Sequence, residues 1–62
     1  MAVEVVWKAP NGAPRETTHE RGIDAVIEEG HLRVRARLEG GRYETVAGYA
    51  PEVWSSYNIS AS

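Results

Sequence analysis

From residue 23 to residue 49 the chain alternates apolar and polar side chains in three runs, interrupted at Glu29-Gly30 and again at Gly40-Gly41. Successive side chains of a strand point to opposite faces, so each run reads as a β-strand with one face toward a core. Treating Glu29-Gly30 as a two-residue hairpin loop pairs Ile27 with Leu32, Ala25 with Val34, Ile23 with Ala36, Glu28 with His31 and Asp24 with Arg35. Such loops need positive φ at both central positions, which Gly40-Gly41 supplies without steric cost. Counting outward from it pairs Leu38 with Tyr43, Arg37 with Glu44, Ala36 with Thr45, Arg35 with Val46, Val34 with Ala47 and Leu32 with Tyr49. The two counts agree. Leu32, Val34, Ala36 and Leu38 share a face with the apolar positions of both neighbouring strands, while His31, Arg33, Arg35 and Arg37 form the other face. A slip of one residue would turn every apolar side chain outward, which is why the agreement specifies the register.

The amino-terminal part has the same character. Val3, Val5 and Trp7 alternate with Glu4, Val6 and Lys8, and Asn11-Gly12 follows as a hairpin signal. The returning segment from Pro14 to His19 has no apolar side chain beyond its proline and predicts an edge strand or an extended loop. A competing pattern exists over residues 17–29: Thr17 with Glu20 makes a capping box, Ile23, Val26 and Ile27 recur at helical spacing, and Gly30 suits a position just past a helix end. That α+β alternative places Gly22 inside the helix and Glu28-Glu29 at its negative end, both unfavourable. After the meander, Pro51 lacks an amide to donate, which predicts a short 3-10 or α turn at residues 51–56. Tyr57 to Ile59 then adds a terminal strand, and Ser60, Ala61 and Ser62 are expected to fray.

At 62 residues the chain is a single domain over 1–62, and a domain of this size buries only about 60 % of its unfolded surface. It has no cysteine, hence no disulfide framework, thiolate metal site or thiol nucleophile, as suits a reducing compartment. A cytoplasmic location is the expectation: the start, MAVEVVWKAP, is too short and too charged for a signal peptide, and no apolar run is long enough for a membrane span. The net charge of −2 gives no long-range attraction for polyanions.

The stretch from Ala36-Arg37 through Gly41-Arg42 to Gly48-Tyr49-Ala50-Pro51-Glu52-Val53-Trp54 resembles the second half of an SH3 domain. In that family an Ala-Arg strand precedes a glycine-containing hairpin, and Gly-Tyr-x-Pro-x-x-Tyr leads through a 3-10 turn to the last strand. Trp54 stands where the family has its closing tyrosine. The resemblance implies an all-β chain, an antiparallel meander curled into an SH3-like barrel or half-barrel. It does not extend to the proline-peptide groove. The Ala-Leu-Tyr-Asp-Tyr signature is absent, with Val5-Val6-Trp7-Lys8 in its place, and no tryptophan precedes Ala36.

Candidate functional residues fall into two sets. Arg33, Arg35 and Arg37 make a basic stripe that could track a phosphate backbone. The counted register sets Asp24 beside Arg35, Glu44 beside Arg37 and Glu28 beside His31, leaving only Arg33 without a partner. Cross-strand ion pairs of that kind are ordinary on a solvated sheet face. Trp54 and Tyr57 lie on the least regular segment and are the aromatics expected to be exposed, whereas Trp7, Tyr43 and Tyr49 fall on apolar faces and are expected in the core. His19 and His31 have no metal-ligand spacing, the serines have no visible base, and no glycine pattern matches a phosphate loop, so the sequence predicts neither enzyme nor cofactor nor metal. The leading expectation is a small non-catalytic protein-interaction module, an adaptor or an inhibitor of a larger protein such as mobile elements encode. It would bind through Trp54 and Tyr57, through the Arg33, Arg35 and Arg37 face, or by β-augmentation at the edge strand after Asn11-Gly12, which also permits homo-oligomers. The alternative is a nucleic-acid-binding small barrel using the arginine strand with an aromatic stacking platform.

Overall fold

The computed structural model describes residues 1–60. It is all-β, with six strands in the order β1 (Ala2–Lys8), β2 (Pro14–His19), β3 (Gly22–Glu28), β4 (His31–Arg37), β5 (Tyr43–Tyr49) and β6 (Trp54–Ser60). They form two three-stranded antiparallel sheets, β2-β1-β6 and β3-β4-β5, which are not closed into a barrel. The helix weighed over 17–29 is absent: those residues are the end of β2, a turn and β3. The expected fraying of Ala61 and Ser62 lies outside the described residues, while Ser60 belongs to β6 and pairs with Ala2.

Three of the four strand pairings are hairpins, and the fourth sets β6 against β1 from the far end of the chain. The β1–β2 loop spans Pro10 to Gly12: Gly12 N donates to Ala9 O at 2.8 Å and Ala9 N to Ala13 O at 2.9 Å. Asn11 Oδ1 accepts from Ala13 N at 2.9 Å, so the side chain caps its own turn. The β3–β4 loop is the two-residue Glu29-Gly30 turn, both residues left-handed at φ 52° and 81°. Its pairs from Glu28–His31 to Asp24–Arg35 are those counted from the sequence.

The β4–β5 hairpin departs from the count. Leu38 N donates to Arg42 O at 2.7 Å, so the loop is the three-residue 3-10 turn Glu39–Gly41 instead of Gly40-Gly41 alone. Pairing near the loop is therefore shifted by one: Arg37 faces Tyr43, Ala36 faces Glu44 and Arg35 faces Thr45. A bulge at Val46 of β5, opposite the step from Val34 to Arg35, restores the counted register for Val34–Ala47, Arg33–Gly48 and Leu32–Tyr49. The shift exchanges faces. Tyr43, expected in the core, lies on the charged face and is 50 % exposed. Glu44 moves off that face and meets Arg21 instead of Arg37.

A second bulge sets Gly22, not Ile23, opposite Ala36. Gly22 is buried, and a Cβ there would stand 2.8 Å from Val34 Cγ1 and 3.0 Å from Val3 Cγ2. The missing side chain lets β3 approach β1, and contacts between the sheets run chiefly between these two strands. The core is small: Val3, Val5, Leu32 and Val34 are fully buried, with Trp7, Ala25, Ala47, Tyr49 and Trp54 packed around them. Ile27 faces Leu32 but is 50 % exposed, whereas Leu32 is fully buried: β3 is an outer strand of its sheet and β4 the central one.

Pro51 opens a tight turn, as its missing amide allows, but the turn is shorter than expected. Val53 N donates to Ala50 O at 3.0 Å and Trp54 already begins β6. The one 3-10 element among the described residues is Glu39–Gly41, not residues 51–56.

Candidate functional site

The arginine face is built by β4 between its two neighbours. Arg35 grips Asp24 through two hydrogen bonds, Nε to Oδ1 at 2.9 Å and Nη2 to Oδ2 at 2.6 Å. The guanidinium also lies over the Tyr43 ring, 4.8 Å from its centroid. Hydrogen bonding from Arg35 holds the Asp24 carboxyl below the ordinary carboxylate value against partial desolvation. Arg33, expected without a partner, contacts Glu28 Oε1 at 2.7 Å. That carboxylate stands opposite His31, yet a diagonal neighbour two residues along lies within reach of a long side chain. Arg37 is the β4 arginine without an ion pair among the described residues, since Tyr43 stands opposite it. Two of the three arginines are thus already neutralised by the sheet that carries them.

The groove on this face follows from Gly48. No atom comes within 4 Å of where its Cβ would be, and an open depression of about 600 Å³ forms there, lined in part by His31, Arg33, Thr45 and Tyr49. It is shallow and its cation is held by Glu28.

Beside the Glu29-Gly30 turn, Trp54 is half-buried. Its indole Nε1 donates to Gly30 O at 2.8 Å, and Pro51 packs against Gly30. The expected exposed contact is therefore a structural tie between the two sheets. One more tie between the sheets stands on β2: His19 Nε2 lies 2.7 Å from the Tyr49 hydroxyl, joining β2 to β5. Within the first sheet, Trp7 Nε1 donates to Thr17 Oγ1 at 2.8 Å. Burial pushes the Tyr49 hydroxyl above its ordinary value, partly offset by a hydrogen bond with Thr17.

Beyond Trp54 the strand is unshielded. Tyr57 faces Val5 and Ile59 faces Val3, so both belong to the apolar face of their sheet. Both are nevertheless exposed, by 37 % and 41 %, because β3 covers β1 and leaves β6 open. β6 is also the outer strand of its sheet, pairing only with β1, so one row of its backbone N–H and C=O groups has no strand beside it. Its sequence, WSSYNIS, has no charged residue and no proline. Sheet edges are usually protected by such residues. β2 carries Pro14, Arg15 and Glu16, β3 carries Asp24 and Glu28, and β5 carries Glu44. Sequence reasoning picked out Tyr57 but missed Ile59 and the charge-free run, a signal that was present. Tyr57 also stacks at a tilt against Trp54, with ring centroids 6.3 Å apart.

Among the described residues no group of three or more His, Asp or Glu is placed to hold a metal ion, and no helix is long and apolar enough to cross a membrane. Comparison with protein-family models, curated proteins and solved structures finds no match.

Proposed function

We propose that this chain is a small non-catalytic protein-interaction module that binds by adding a strand to β6. The observation that carries the reading is one edge strand that joins unpaired backbone groups, a charge-free sequence and two half-exposed apolar side chains, Tyr57 and Ile59. In strand addition the backbone hydrogen bonds supply affinity and alternate side chains supply specificity. Here Tyr57 and Ile59 are the alternate side chains on the core face.

The nucleic-acid reading has less support. A phosphate would compete with Asp24 and Glu28 for Arg35 and Arg33, leaving Arg37 on β4 free to gain from counterion release. Affinity capture from native extract, with Ile59→Lys as the control, tests the proposal. A partner held by the wild-type chain and lost by the folded variant is the expected result; identical captured sets would overturn it. Retention on heparin that falls steeply with salt would favour the arginine face instead.

A further inference from the structure

We infer that the strand added to β6 is the β6 of a second copy, so that two chains form one continuous six-stranded sheet, β2-β1-β6 followed by β6-β1-β2. The inference rests on the β6 reading above and names the partner. A two-fold pairing of identical strands brings residues near the axis against their own copies, so a charge there would face itself. β6 is the one outer strand of the four that carries no charge. Each chain has a net charge of −2, which makes a neutral seam matter more.

The side chains select the register. With the two-fold axis through Asn58, Tyr57 of each chain stands opposite Ile59 of the other, on the core face. Both side chains that the monomer leaves half-exposed are then covered by aromatic–β-branched cross-strand pairs. On the other face the two Asn58 side chains meet. An amide has both donor and acceptor groups, so it is compatible with its own copy. Its present contact, Nδ2 to Glu4 Oε1 at 3.3 Å, is long and exposed and would not hold it away. Ser56 would pair with Ser60 at either end, giving a five-residue seam free of charge.

Cysteine placement tests this directly, because the chain has no cysteine of its own and any disulfide must join two copies. Directly opposed residues of antiparallel strands have Cα atoms about 4.5–5.5 Å apart, inside the roughly 4.4–6.8 Å that a disulfide spans. Asn58→Cys under mild oxidation is expected to give a covalent dimer of twice 6.8 kDa. Thr18→Cys, in the same row of the sheet but on β2, faces Glu4 from the opposite side and should remain monomeric. Without oxidant, Asn58→Lys should weaken self-association of the wild-type chain at least tenfold in sedimentation equilibrium, with circular dichroism showing the fold retained. A wild-type chain monomeric at millimolar concentration, equal cross-linking at both cysteines, or a dimer indifferent to Asn58→Lys overturns the inference. If capture from native extract still depends on Ile59 while the purified chain is monomeric, the edge binds a different protein; this inference falls and the interaction reading stands.

Discussion

Gly22→Ala adds one methyl group at the crossing of the two sheets, and its effect follows from the spacing there. The new Cβ would lie 2.8 Å from Val34 Cγ1, 3.0 Å from Val3 Cγ2 and 3.2 Å from His19 O. Val3 and Val34 are fully buried, so neither can swing away without disturbing the core. Overpacking of this kind costs about 1–3 kcal/mol, against a gain of roughly 0.5–1 kcal/mol for replacing a glycine inside a strand. A net loss of about 1–2 kcal/mol is expected, which in a domain this small lowers Tm by roughly 10 °C at about 4–8 °C per kcal/mol. Urea unfolding followed by tryptophan fluorescence measures the loss. Gly48→Ala is the matched control, since nothing lies within 4 Å of its Cβ position, and it should be neutral or slightly stabilising. In the Val34→Ala background the nearest clashing atom is gone, so the cost of Gly22→Ala should shrink and a double-mutant cycle should show coupling of about 0.5–3 kcal/mol. If Gly22→Ala behaves like Gly48→Ala, the bulge that brings Gly22 opposite Ala36 is misplaced and the sheets do not touch there.

Three further outcomes are expected. Val34→Asp places an unpaired charge in the centre of the core and should unfold the domain, seen as loss of the strand signal in circular dichroism; a folded variant would contradict the register of β4. Asp24 has its folded pKa held below 3.8 by Arg35, so its contribution is present above about pH 3.8 and lost as pH falls through the folded value. Acid titration of stability should therefore show a component that Arg35→Gln removes, and identical acid limbs would refute the pair. Tyr49 has its folded pKa raised above 10.0 by burial, so the unfolded chain loses its proton first and stability falls as pH rises above about 10. Tyr49→Phe should flatten that alkaline loss and, by breaking the contact with His19, cost about 1 kcal/mol at neutral pH.

Much of the fold was legible because alternation and turn chemistry agreed. Glu29-Gly30 is a two-residue turn, and every pair from Glu28–His31 to Asp24–Arg35 follows from it. Gly40-Gly41 was ambiguous, since two glycines suit a two-residue loop and equally the left-handed end of a three-residue loop. The chain uses the second, and the bulge near Val46 then restores the counted pairs at the far end of the hairpin. Correct pairs at one end thus concealed a slip at the other. The price was Tyr43, placed in the core from sequence and found over Arg35. Nothing about Thr45-Val46-Ala47 marks a bulge locally, so only coordinates reveal it.

The candidate site was legible to a different degree, for a related reason. Pairing counts tell which side chains share a face but not how far the opposing sheet extends over them. Tyr57 and Ile59 face Val5 and Val3, positions that are fully buried, and a count alone would assign all four to one core. What separates them is that β3 approaches at Gly22 and covers β1, while β6 lies one strand further out. The same geometry buries Val3 and Val5 and leaves Tyr57 and Ile59 accessible. A strand without charge or proline is an ordinary choice when both of its sides are covered; at an outer position it leaves pairing unopposed. The exposed edge and the incomplete core are therefore two results of one crossing, and covering Tyr57 and Ile59 with another strand would satisfy both.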